Sequence, residues 1–180
     1  MVQSGNIKKP LHQQFSEVDN EVFSAFCNSF SGVQWVADFK DSTDLFCGID
    51  LQLTAKTPTK INTYDIELKA VFLRKLLDYC YFQTEKWYNL VEFDNDKKLY
   101  VVIYPLHDII AIWNVTGALL RSSEKDIKPM KKNTASGSEN VEKQVYKFKL
   151  KDAKVFKYNL SQYREKYNAL YKAITQKEIH

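Results

Sequence analysis

Alternation of apolar and polar positions is the most regular feature of the chain. "GIDLQLT" puts Ile49, Leu51 and Leu53 on one face and Asp50, Gln52 and Thr54 on the other, the period-two pattern of a strand. "TYDIELKAV" repeats it, with Tyr64, Ile66, Leu68 and Ala70 opposed to Asp65, Glu67 and Lys69. "AKTPTKIN" between them reads as a hairpin loop, and "GVQWVADF" upstream as a short strand followed by the turn "DSTDLFC". "KLYVVIYP" and "DIIAIWNV" read as two buried strands joined by "LHD", and "QVYKFKL" as an edge strand.

Helical periods flank these strands. Phe15, Val18, Val22, Phe23 and Phe26 form one stripe and predict a helix over Phe15–Phe30, capped at Ser16, with Glu17, Asp19 and Glu21 in its first turns. "LRKLLDYCYFQTEKWYNLVEF" is helical in period, as two pieces. Tyr163, Tyr167, Leu170, Tyr171 and Ile174 predict a last helix near Ser161–Ile174 with an aromatic packing stripe. Residues 122–143 are polar, with "NTASGSE" at their centre, and read as a mobile loop. The expectation is an α/β or α+β fold, a mixed central sheet flanked by helices. It comprises a tail over 1–14, a core over about 15–115, the loop, and a strand–helix extension over 144–180, all within one unit.

Composition narrows the function. A chain of 180 residues that is 44% hydrophobic suits one compact unit with a substantial core. A net charge of +4 permits an anionic partner without demanding one. Cys27, Cys47 and Cys80 lack metal-binding spacing, and His12, His107 and His180 are scattered, which argues against zinc and for reduced thiols in a cytoplasmic protein. "MVQSGNIKKPLHQQF" lacks the apolar segment of a secretion signal, and no run reaches the ~20 apolar residues of a membrane helix.

The candidate chemistry lies on the two alternating strands. As antiparallel neighbours, Asp50 and Glu67 project from one face ~5 Å apart. Carboxylates at that range repel, and a hard divalent cation offsets the cost. Lys69 follows Glu67 on the same face, about 7 Å along the strand, where an ammonium can steady phosphoryl charge. The main-chain carbonyl of Leu68 is a further candidate ligand. Asp65 reads as a solvated strand residue rather than a third site carboxylate, and Asp44, in a turn, is a weaker rival to Asp50.

An Asp in "GID", a hairpin and then Glu67-Leu68-Lys69 on the next strand resemble the PD-(D/E)XK nuclease superfamily, in its restriction-endonuclease-like and archaeal Holliday-junction-resolvase-like branches. The resemblance covers roughly residues 15–115, with Ile49 where the family's name has Pro. It implies a restriction-endonuclease-like core and Mg²⁺-dependent (or Mn²⁺-dependent) hydrolysis of DNA phosphodiesters. Asp50, Glu67 and the Leu68 carbonyl would hold the metal, and Lys69 would position or deprotonate the attacking water. It further implies an auxiliary acid from the leading helix, Glu21 or Glu17, an auxiliary polar residue from the later helix, Gln83 or Lys86, and a homodimer. Lys56, Lys60, Arg74, Lys131 and Lys132 are candidates for DNA phosphates. The competing readings are a non-catalytic nucleic-acid-binding module and an assembly protein docking through "FLRKLLDYCYF".

Overall fold

The computed structural model describes residues 11–39, 49–91, 97–131 and 140–177. A helix, α1 (Leu11–Asn28), leads into the antiparallel meander β1 (Gln34–Phe39), β2 (Leu51–Lys56) and β3 (Ile61–Ala70). Thr57 closes the β2–β3 hairpin, its N–H donating to the Lys60 carbonyl at 2.8 Å. Next come β4 (Tyr79–Gln83) and α2 (Thr84–Val91), then β5 (Lys97–Tyr104), parallel to β3, and β6 (Ile109–Asn114), antiparallel to β5. The chain continues through α3 (Gly117–Ser122), β7 (Glu124–Lys131), β8 (Asn140–Lys149), β9 (Lys154–Lys157) and α4 (Ser161–Lys177). The result is an α+β fold with a mixed sheet in the order β1-β2-β3-β5-β6-β9 and a smaller antiparallel sheet, β4-β8-β7.

Alternation explains how the layers stack. One face of the large sheet presents Leu51, Leu53, Ile66, Leu68, Val101, Ile103 and Ile110, which pack with Val22, Phe23 and Phe26 of α1 and Tyr163 and Tyr167 of α4. The tyrosine stripe of the last helix is thus packed, except at Tyr171, which is half exposed. The other face presents Tyr100, Val102, Tyr104, Ala111 and Trp113 to Cys80, Phe82, Tyr146 and Phe148 of the small sheet and Leu90 of α2. Phe82 joins the layers, its ring 4.9 Å from both Tyr100 and Phe148. Trp113 donates to the Lys149 carbonyl at 3.0 Å.

Four expectations need correction. α1 begins at Leu11, inside the expected tail, so Ser16 lies within the helix instead of capping it and no acid sits in its first turn. Residues 79–83 are strand rather than helix: the aromatic run Tyr79-Cys80-Tyr81-Phe82 alternates between outside and core. The expected loop over 122–143 contains β7, which pairs with β8 from Glu124↔Lys147 to Lys131↔Asn140; "NTASGSE" lies outside the described residues. "QVYKFKL" belongs to β8, which is the centre of its sheet and not an edge. No helix among the described residues is long and apolar enough to cross a membrane.

Candidate functional site

The site forms where β2 stops pairing with β3. Their register ends at Leu51↔Ile66, and the Asp50 N–H makes a last bond to the Ile66 carbonyl at 3.0 Å. Beyond that point no strand among the described residues lies beside the edge of β3. Main-chain groups of alternate residues face the same edge, so Leu68 and Ala70 follow Ile66 there. Two carboxylates take the place of the missing strand. Asp50 Oδ2 accepts the Leu68 N–H at 2.7 Å, and Asp19 of α1 accepts the Ala70 N–H. By the same alternation the Leu68 carbonyl lies on this edge, between the two N–H groups.

Glu67 stands beside Asp50 on the face covered by α2 and the small sheet. Its Oε1 is 2.8 Å from Nζ of Lys86, in the first turns of α2. Its Oε2 is buried with no hydrogen-bond partner. An unpaired buried carboxylate oxygen is costly unless something else satisfies it. Burial, reinforced by the Asp50 charge, pushes the Glu67 carboxyl up to about 8, with Lys86 and then Lys69 pulling the other way. Burial likewise raises Asp50, against the opposing pull of Lys86, the Leu68 N–H and a hydrogen bond shared with the Glu67 carboxyl. Asp19 is pushed up to about 7 by burial, although the Tyr167 hydroxyl donates to its Oδ1 at 2.6 Å. Lys86 is raised, the pull of Glu67 and Asp50 together outweighing its own desolvation.

The structure thus brings together Asp50, Glu67, Leu68 and Lys86, with Lys69 within electrostatic reach. The other candidates stand apart. Glu21 is exposed and holds Lys166 of α4 at 2.6 Å, and Glu17 is likewise on the exposed side of α1. Gln83 accepts from Lys143 of β8 at 3.3 Å. Lys56 and Lys60 are exposed at the hairpin tip, about 20 Å along β2 from Asp50. Arg74 is exposed in the segment after β3. Lys131 ends β7, and Lys132, like Asp44, lies outside the described residues.

Two residues escaped the sequence reading. Asp19 is the acid that α1 supplies, and a signal for it existed: it is in helical phase with Phe15, Val22, Phe23 and Phe26, whereas Glu17 and Glu21 are not. Asp65 is not solvated but fully buried, accepting from Lys98 Nζ at 2.6 Å and Gln52 Nε2 at 2.9 Å. Its face looks polar in sequence, yet the second layer covers it.

The donor set suits a hard cation. Among the described residues no three carboxylate, imidazole or thiol groups converge as a metal cluster. Two carboxylates, Asp50 and Glu67, do lie together, with the Leu68 carbonyl placed by alternation on the adjoining strand edge, and Mg²⁺ binds through one or two carboxylates while keeping several waters. Comparison with protein-family models, curated proteins and solved structures found no match.

Proposed function

We propose that this site hydrolyses DNA phosphodiester bonds with Mg²⁺ or Mn²⁺, in the manner of the PD-(D/E)XK nucleases. The observation that carries the reading is the Glu67 carboxylate, buried beside Asp50 with Oε2 lacking any donor. The order of elements supports it: a leading helix, three antiparallel strands and a crossover through α2 to a strand parallel to the third. That order is compatible with the restriction-endonuclease-like core the resemblance implies.

Asp50, Glu67 and the Leu68 carbonyl would hold the cation. When bound, it supplies Lewis-acid polarisation of the scissile phosphate and charge neutralisation. Lys69, on the Glu67 face, orients water and stabilises charge developing on the phosphate oxygens. Lys86 balances one carboxylate charge at Glu67 Oε1 and keeps that side chain in one rotamer. Asp19 holds the edge of β3 at the Ala70 N–H.

The test is incubation with single-stranded, duplex and branched DNA in Mg²⁺ or Mn²⁺, with Asp50→Asn and Glu67→Gln as controls. Cleavage by the parent and none by either variant is expected; equal cleavage by all three would assign the activity elsewhere. The Lys86–Glu67 ion pair favours one alternative, a binding module in which the pair is structural. In that case DNA is retained and never cut.

A further inference from the structure

The outer face of the small sheet has no part in the site just described. By alternation it carries Tyr79 and Tyr81 of β4, whose register partners on β8 are Lys149 and Lys147. Lys128 of β7 joins them across β8, opposite Lys143. The two rings meet edge to face, 5.3 Å between centres. Lys147 Nζ lies 5.7 Å from the centre of the Tyr79 ring and Lys128 Nζ 5.6 Å from that of Tyr81. At the Tyr79 end a cleft of about 600 Å³ opens, lined by Tyr79, Lys147, Lys149 and Lys151 together with Asp78 and Glu124.

We infer that this face is a binding track for single-stranded nucleic acid, with bases against Tyr79 and Tyr81 and phosphates at the surrounding lysines. Two adjoining rings with mobile ammonium groups over them match the two demands of a single strand, stacking for bases once the lysine chains swing to phosphates, and positive charge for the backbone. A duplex hides its base faces and has no use for the rings. Lysines 128, 143, 147, 149 and 151 face the acids Asp78, Glu85, Glu124 and Asp126 on this face and its cleft, an excess of one positive charge. Glu124 and Asp126 hold Lys147, at 2.5 and 3.4 Å, Asp126 also holds Lys128 at 3.0 Å, and Glu85 of α2 holds Lys143 at 3.6 Å, which leaves Lys149 and Lys151 without an ion-pair partner among the described residues.

The strand that bears the rings is tied to the carboxylates through the chain and through the layer beneath it. β4 runs from Tyr79 through Gln83 directly into α2, whose Lys86 contacts Glu67. Tyr100, the register neighbour of Glu67 on β5, donates to the Tyr81 carbonyl at 3.0 Å. The destination of the track rests on the nuclease reading; the track itself does not.

Fluorescence anisotropy with a labelled oligodeoxythymidylate in EDTA tests the track without cleavage. Tyr79→Ala and Tyr81→Ala should each weaken binding by about 5- to 150-fold, the loss of one stacked base. Tyr79→Phe and Tyr81→Phe keep the rings and should bind as the parent does. Lys149→Gln with Lys151→Gln should flatten the salt dependence of log affinity by about 0.7 for each phosphate no longer neutralised. A folded parent that ignores the oligonucleotide, alanine variants that bind it undiminished, or equal losses for a matched duplex would each overturn the assignment. Tyrosines that merely cover the buried Val145 on this face would lower the melting temperature and leave affinity alone. Ring-dependent binding without cleavage in Mg²⁺ or Mn²⁺ would overturn the nuclease reading and leave the track standing. Cleavage with ring-independent binding would do the reverse.

Discussion

Lys98 of β5 reaches Asp65 of β3 across a parallel strand pair, Nζ to Oδ2 2.6 Å, with both side chains almost fully out of solvent. Removing one partner of such a pair leaves a buried charge uncompensated. Lys98→Met should therefore cost about 3–5 kcal/mol in urea unfolding, whereas Asp65→Leu combined with Lys98→Met should cost much less. A single variant as mild as the double would show that Asp65 finds water.

The raised carboxyls set the pH response of the metal-free protein. Glu67 rises from an ordinary 4.5 to about 8 and Asp19 from 3.8 to about 7, so between those values the folded state binds more protons than the unfolded one. Their contribution to stability is complete below the ordinary values and is lost as pH climbs towards 8. Unfolding in EDTA at steps from acid to mildly alkaline pH should show that decline, and Glu67→Gln should flatten it. Cation binding runs the opposite way, because it displaces these protons, so the melting shift produced by Mg²⁺ should grow over the same range.

Asp50→Asn keeps the acceptor for the Leu68 N–H and removes a desolvated charge. It should raise metal-free stability by about 0.5–2 kcal/mol. It should also abolish most of the Mg²⁺ melting shift, since one carboxylate holds the ion weakly. A variant that melts below the parent and keeps the full shift would exclude Asp50 from cation binding.

Lys69→Ala should lower the single-turnover cleavage rate about 100- to 1,000-fold with DNA affinity nearly unchanged. Lys69 is only half-buried and is not the lysine that touches Glu67. A parent-like rate in Lys69→Ala with a collapse in Lys86→Ala would move the role to α2.

Cys27 and Cys80 are buried, and burial pushes the Cys27 thiol up to about 12. Thiolate is the reactive form. Peptide mapping after treatment with a thiol reagent should find both unmodified in the native protein and both modified in urea. Native labelling of either would indicate local opening of its helix or strand.

What could be read from sequence was what alternates or recurs without competition. Strands β2 and β3 have clean two-residue periods, from which the opposition of Asp50 and Glu67 followed, and β5 and β6 were legible as short continuous apolar runs. The segment from Tyr79 to Gln83 satisfied a helical period as well, and its aromatic, β-favouring composition was the clue that decides between them. β7, "EKDIKPMK", offers no apolar face to recognise and tolerates Pro129 because it lies at a sheet edge. The environment of Asp65 was not readable at all. Alternation tells which face a residue occupies, and only the second layer, built from residues far along the chain, decides whether that face is wet.

Tyr167 and Asp19 are separated by 148 positions. At ribosomal rates of ~5–20 residues per second, α4 emerges roughly 7 to 30 seconds after α1. Throughout that interval Asp19 lacks its hydroxyl donor and the Phe23–Phe26 side of α1 lacks its final cover. So long-range a pairing is entropically expensive to close and forms slowly. The nascent chain therefore carries the acidic edge of β3 for many seconds before the arrangement around it is complete. Completion of the site is timed by synthesis of its last helix.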